Sequence, residues 1–302
     1  MQKKRYIGNI VRIVIFIICI SIFIYCVTQI VARYRDLSHA EDVYADLRDK
    51  YAADIIGKLP PFLTDNNNNA NVQGSGKPNT EGSDTANQNP VLPTVSEYQE
   101  FLILQSIVLG IQKDYNECVG YITVSDTNIS YPVMKSKTNN EYYLRHLYNG
   151  DYSKAGAIFC DYMMSDDYDD NLNVVVYGHD MTNGSMFRSI KLFFDNPDRA
   201  EQAKTMEITF VTADCVYIYR FLSGYRSEGN HFISSFDRNG VTAASEFGDF
   251  LKKIKTMNTV PCENKYDEET QIITLVTCTN ISSRPNERYV LHGILVESYP
   301  LD

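Results

Sequence analysis

Three residues of complementary chemistry stand at the edges of strand-like runs. Cys278 ends the apolar, β-branched segment Thr274-Leu275-Val276-Thr277-Cys278, where a strand would hand a nucleophile to solvent. His179 follows Asn173-Val174-Val175-Val176-Tyr177 and Gly178, and Arg288 opens the run Tyr289-Val290-Leu291. A cysteine reacts as its thiolate, which a neighbouring cation favours by lowering the thiol pKa. An imidazole within hydrogen-bond reach serves as acid and base. A guanidinium can hold a developing oxyanion. Together they describe a thiol enzyme that forms acyl intermediates. If the strands carrying Cys278 and Arg288 pair antiparallel, the ten-residue offset (288 − 278) brings both to one mouth. Each residue alone has a plainer reading, as a buried apolar cysteine, a hydrogen-bonded structural histidine or a solvated loop arginine. Arg284, beside Pro285, reads as the solvated case. His39, His146 and His231 have weaker contexts, and His292 reads as a core or sheet-face residue. Asp180 follows His179 directly, and neighbours in an extended chain point apart, so it is not read as a triad acid.

The elements that must position these groups are legible as patterns. After a helix at 95–113, short β-branched and aromatic runs occur at 119–124, 130–134, 157–160, 173–177, 206–211, 216–222, 271–277 and 288–296. A single amphipathic helix interrupts them at 241–257, with Ala244, Phe247, Phe250, Leu251 and Ile254 on one stripe. Eight short strands with one inserted helix predict a closed or nearly closed β-barrel, a mainly β (α+β) fold, and not alternating βαβ units. Gly178 is read as the point where the chain turns sharply ahead of the imidazole.

The N-terminal third differs in texture. Lys3, Lys4, Arg5 and Arg12 precede residues 13–31, nineteen residues without a charge. At about 1.5 Å each they match the hydrocarbon thickness of a bilayer. The run is long for a signal peptide and lacks a small-residue cleavage site, so an uncleaved anchor is expected. The basic residues favour residues 1–12 inside and the remainder outside. A membrane-proximal helix is expected next, within 32–64, with its periodic positions between Asp36 and Leu59. Asn-, Gly- and Ser-rich residues 65–94 contain no aromatic and read as a disordered linker. The catalytic domain is assigned to 95–302.

Composition narrows the function. The 302 residues carry a net charge of −10, which argues against nucleic acid as a partner. Seven cysteines leave an odd five beyond the apolar segment (Cys118, Cys160, Cys215, Cys262 and Cys278), read as mostly buried thiols plus one reactive one. With no CxxC spacing, no Cys/His cluster and no phosphate-binding glycine loop, neither metal nor cofactor is expected.

The motifs carry a family resemblance. Thr274-Leu275-Val276-Thr277-Cys278 resembles the TLxTC signature of sortases, the cysteine transpeptidases of Gram-positive cell surfaces. Gly120-Tyr121-Ile122, Thr127-Asn128-Ile129-Ser130-Tyr131-Pro132-Val133, Asn140-Glu141-Tyr142-Tyr143-Leu144, Gly156-Ala157-Ile158-Phe159, Tyr177-Gly178-His179 and Gly184-Ser185-Met186-Phe187 are similar to the class B branch. The resemblance spans about 95–296 and implies an eight-stranded barrel. It implies that Cys278 attacks a carbonyl within the C-terminal sorting motif of a secreted protein, forming a thioester. His179 would act as acid and then base, and Arg288 would bind substrate backbone or oxyanion. A peptidoglycan-precursor amine would resolve the acyl-enzyme, outside a membrane held through 13–31. Thr277 and Ser130, within the same motifs, are candidate substrate contacts. The Asn-rich insertion at 65–94 departs from the family pattern. Alternatives are a pilus-assembling sortase, a hydrolytic cysteine peptidase, and an inactive barrel that only binds.

Overall fold

A computed structural model describes residues 2–56, 93–195, 202–228, 236, 244–257, 269–278 and 286–301. The expected barrel forms. Its strands are β1 (Cys118–Val124), β2 (Ser130–Met134), β3 (Ile158–Cys160), β4 (Asn173–Tyr177), β5 (Glu207–Val211), β6 (Cys215–Glu228), β7 (Ile272–Cys278) and β8 (Glu287–Pro300). They close in the order β1-β2-β3-β4-β7-β8-β6-β5. Most pairs are antiparallel, but β2–β3 and β4–β7 run parallel.

Strand alternation sorts the side chains into two layers. Val174 and Val176 of β4, Ile273 and Leu275 of β7, and Leu291 of β8 join the barrel interior with Ile122, Ile208 and Phe210. The outer faces are covered by helices. The helix α2 (Val95–Asp114) lays Phe101, Leu104, Ile107, Val108 and Ile111 over Cys118, Tyr121 and Val211. Thr94 starts it with a capping box: its hydroxyl accepts from the Glu97 N–H, and the Glu97 carboxylate accepts from the Thr94 N–H. Thr94 therefore ends the linker assignment as a cap. The inserted helix, α4 (Ala244–Thr256), packs Phe247, Phe250, Leu251 and Ile254 against Ile272, Val290 and Ile294.

Two helices differ from the sequence reading. The apolar run and the membrane-proximal segment form one continuous helix, α1 (Gln2–Ile56), with no break near residue 32. Residues 57–64 of the expected proximal segment, and 65–92 of the expected linker, lie outside the described residues. A short helix, α3 (Arg188–Asp195), follows the His179 loop and had no expectation.

Along α1 the surroundings change. Ile13, Phe16, Phe23 and Ile30 are exposed at 58%, 65%, 68% and 68%. Farther on, Ala40, Leu47 and Ala52 are buried against the barrel and α2. The Tyr44 ring meets Tyr131 edge-on at 5.1 Å, and its hydroxyl donates to the Gly156 carbonyl at 3.3 Å. The same helix thus leaves its first apolar half bare and packs its second half.

Candidate active site

β7 lies between β4 and β8, and the registers of its two neighbours set the site. Tyr177 pairs with Val276 in the parallel β4–β7 ladder, an offset of 99 positions (276 − 177). The same offset applied two residues on matches His179 with Cys278 (278 − 179 = 99). The Gly178 N–H still donates to the Val276 carbonyl at 3.1 Å, so the ladder extends one residue past the end of β4. On the other side of β7, Cys278 is the direct cross-strand partner of Arg288. Arg288 thus stands directly beside Cys278, and extending the β4–β7 offset past the end of β4 sets His179 level with Cys278 on the other side, a row of three at one end of the barrel. The antiparallel pairing expected for the Cys278 and Arg288 strands is observed, and the ten-residue offset makes them a matched pair.

His179 is half-buried and its Nε2 lies 2.9 Å from the Leu144 carbonyl oxygen. A carbonyl only accepts, so Nε2 carries a proton in that contact and Nδ1 is the nitrogen left to exchange one. Leu144 ends the short 3-10 turn Tyr142–Leu144, and Tyr143 of that turn accepts from the Ala157 N–H at 2.9 Å. The loop after His179 folds back on itself: the Phe187 N–H donates to the His179 carbonyl at 2.9 Å. Met186, buried with φ +56°, donates its N–H to the Tyr131 hydroxyl at 3.0 Å. Asp180 is buried and forms an ion pair with Arg188 at 2.6 Å.

Gly178 has a different reason from the one its sequence suggested. It is not among the residues with positive φ. A Cβ there would lie 2.5 Å from Ile158 Cδ1 and 2.7 Å from Phe187 Cγ, so close packing requires the glycine.

Four residue pairs below the row, a hydrogen-bond chain ties four strands together. The Thr274 hydroxyl donates to Asn173 Oδ1 at 2.6 Å and accepts from His292 Nδ1 at 2.8 Å. His292 Nε2 then accepts from the Tyr225 hydroxyl at 2.9 Å. His292 is fully buried, and burial lowers its pKa to about 3, so it stays neutral. The chain runs β4, β7, β8, β6, which braces the strands whose ends carry the row. The sequence reading of His292 as a core residue agrees, while its partners lie too far apart in sequence to be foreseen.

Arg288 is half-buried, and its Nη1 donates to the Glu287 carbonyl at 3.0 Å. Thr277 alternates to the face opposite Cys278, is 2% exposed, and its hydroxyl has no hydrogen-bond partner among the described residues. Ser130 opens β2 and meets the Tyr121 hydroxyl at 3.1 Å, three strands from β7. Neither is brought to the row. Cys118 and Cys160 are buried free thiols, and burial pushes the Cys118 pKa up to about 12. Cys262 lies outside the described residues.

The sortase domain family model matches residues 122–296. The chain is 29% identical over 186 residues to Sortase B of Listeria monocytogenes, covering 62% of this chain and 72% of that one. It is 25% identical over 190 residues to Sortase B of Staphylococcus aureus, covering 62% and 74%. Among solved structures, a sortase B of B. anthracis superposes with a TM-score of 0.61 at 25% identity, covering 87% of this chain and 99% of that chain.

Proposed function

The chain belongs to the sortase family of cysteine transpeptidases, and we propose that it is an anchored class B enzyme that joins secreted proteins to a cell-wall amine. The observation that supports this reading is the row across β4, β7 and β8. In it, the Cys278 thiolate attacks the carbonyl of a sorting motif while the Arg288 guanidinium faces the developing oxyanion. His179, having taken the Cys278 thiol proton at Nδ1, then delivers it to the leaving amine, and the new terminal amino group departs. An incoming amine gives that nitrogen a proton as it attacks the thioester, which forms the new amide and frees the thiolate.

The exposed apolar half of α1 supports the anchor. Nineteen residues without charge reach about 28 Å, close to the hydrocarbon thickness. Basic residues ahead of it favour the barrel on the outer face.

Product analysis tests the reaction. The full chain in detergent is incubated with a panel of sorting-motif peptides, with and without a primary amine. Ligated product that rises with amine concentration is expected. Cleavage that never yields ligation would make the protein a hydrolase, and an unchanged rate in Cys278→Ala would remove the thiol from the reaction.

A further inference from the structure

The contacts of α1 run up the barrel in order, and that order sets which end of the barrel meets the bilayer. Arg33, two residues past the apolar run, reaches Thr182 at 3.5 Å. Asp36 accepts from the Lys154 N–H at 3.2 Å, and His39 meets Asp151 at 3.1 Å. Glu41 accepts from the Asn183 side chain at 2.7 Å. Only much later do Lys50 and Tyr51 reach Asp114, at 3.7 and 3.0 Å. Residues 151–156 lead into β3, whose start adjoins the end of β4, and residues 181–185 lie in the loop after His179. Both therefore belong to the end of the barrel where the row stands. Asp114 ends α2 just before β1 begins, at the opposite end.

We propose that the end of the barrel bearing the row faces the bilayer, with the loop 181–185, exposed at Thr182 and Asn183, in contact with the lipid headgroups. The proposal rests on residues 13–31 being the anchor. The loop spans the helix level between Arg33 and Glu41, centred near Leu37, six residues past Val31. At 1.5 Å per residue that is about 9 Å above the hydrocarbon edge. A bilayer of about 30 Å hydrocarbon and about 40–45 Å in all leaves a headgroup layer of about 5–8 Å on each side. The loop's centre thus lies just beyond that layer, and its Arg33 end, two residues past Val31 and about 3 Å out, lies within it. The level of Lys50, nineteen residues past Val31, is about 28 Å out. The packed half of α1 holds this height, because Ala40, Leu47 and Ala52 are buried and Tyr44 is wedged between Tyr131 and Tyr148. Peptide and amine must then reach the row from the membrane side, so a reacting segment has to lie close above the bilayer.

The chain contains no tryptophan, so a single introduced one is an unambiguous reporter. Three variants suffice: Phe16→Trp in the apolar run, Thr182→Trp on the loop, and Asp214→Trp on the exposed turn between β5 and β6 at the far end. Each full chain is reconstituted into phosphatidylcholine vesicles carrying either acyl-chain bromines or a headgroup nitroxide. Folding is checked by the circular dichroism of each variant. The proposal expects bromine quenching of Phe16→Trp. It expects nitroxide quenching of Thr182→Trp several-fold stronger than that of Asp214→Trp. Quenching of Phe16→Trp with equal or absent quenching at the other two sites overturns the orientation alone. A Phe16→Trp emission that escapes the bromines removes the anchor reading, and the orientation falls with it.

Discussion

At Arg288 the chemistry asks for directional positive charge, since a guanidinium presents a fork of donors that an ammonium cannot reproduce. Arg288→Ala is expected to lower kcat by about 10²–10³-fold, the scale seen when one oxyanion donor is removed. Arg288→Lys should recover only part of it. Steady-state kinetics at saturating peptide check this, and a KM effect with unchanged kcat would reassign the residue to ground-state binding. His292 makes a separate prediction about stability. Its folded pKa of about 3 lies below the unfolded value of 6.5, so below pH 6.5 the unfolded chain takes up a proton that the folded chain refuses. That contribution is fully favourable above pH 6.5 and is lost as pH falls towards 3, by up to about 1.4 kcal/mol per pH unit. His292→Gln should weaken the fold at pH 7, because the Thr274 and Tyr225 bonds are disturbed, yet flatten the acid side of the stability curve. Urea midpoints from pH 7 to pH 4 measure the difference between the two proteins. A gap that does not narrow in acid would mean His292 is protonated in the fold.

Among the elements, the segment from β4 to α3 controls where His179 stands. Gly178→Ala forces a Cβ into Ile158 and Phe187, both fully buried, so the loop must shift. Overpacking of this kind costs about 1–3 kcal/mol, and the displaced imidazole should lower kcat/KM more than stability alone explains. A thermal melt beside a rate measurement separates the two effects. Wild-type melting and wild-type rate together would show that the loop accommodates the methyl group freely. How much of this segment the sequence discloses depends on the kind of signal. The valine run 173–177 matches β4 at both ends, because a strand buried on both faces leaves an unbroken apolar pattern. β6 runs six residues beyond the expected 222, since Ser223, Gly224 and Ser227 interrupt the apolar pattern while pairing with β8 carries the strand on. The eight-residue α3 gives too few turns for periodicity to register. The partner of His179 is a backbone carbonyl, which no residue type announces. The row itself was foreseeable as three residue types at strand ends, but its parallel register of 99 positions exists only once β4 and β7 pair.

For the molecule as a whole, the order of segments decides how the barrel is held. Residues 57–92 come after the packed half of α1, so they connect α1 to α2 and do not separate the apolar run from the barrel. The barrel rides on α1 itself, which runs from the exposed apolar residues straight into the contacts of Ala40, Tyr44 and Leu47. Family membership and barrel closure agree with this arrangement, and the central claim remains chemical: one thiol of seven takes the acyl group. Intact-mass spectrometry of the full chain, incubated with a sorting-motif peptide and quenched in acid, tests it most directly, with peptide mapping to locate the adduct. An acyl adduct confined to Cys278, absent from Cys278→Ala and discharged by added amine, is expected. An adduct on Cys118, Cys160 or Cys215, or one that survives in Cys278→Ala, would contradict it.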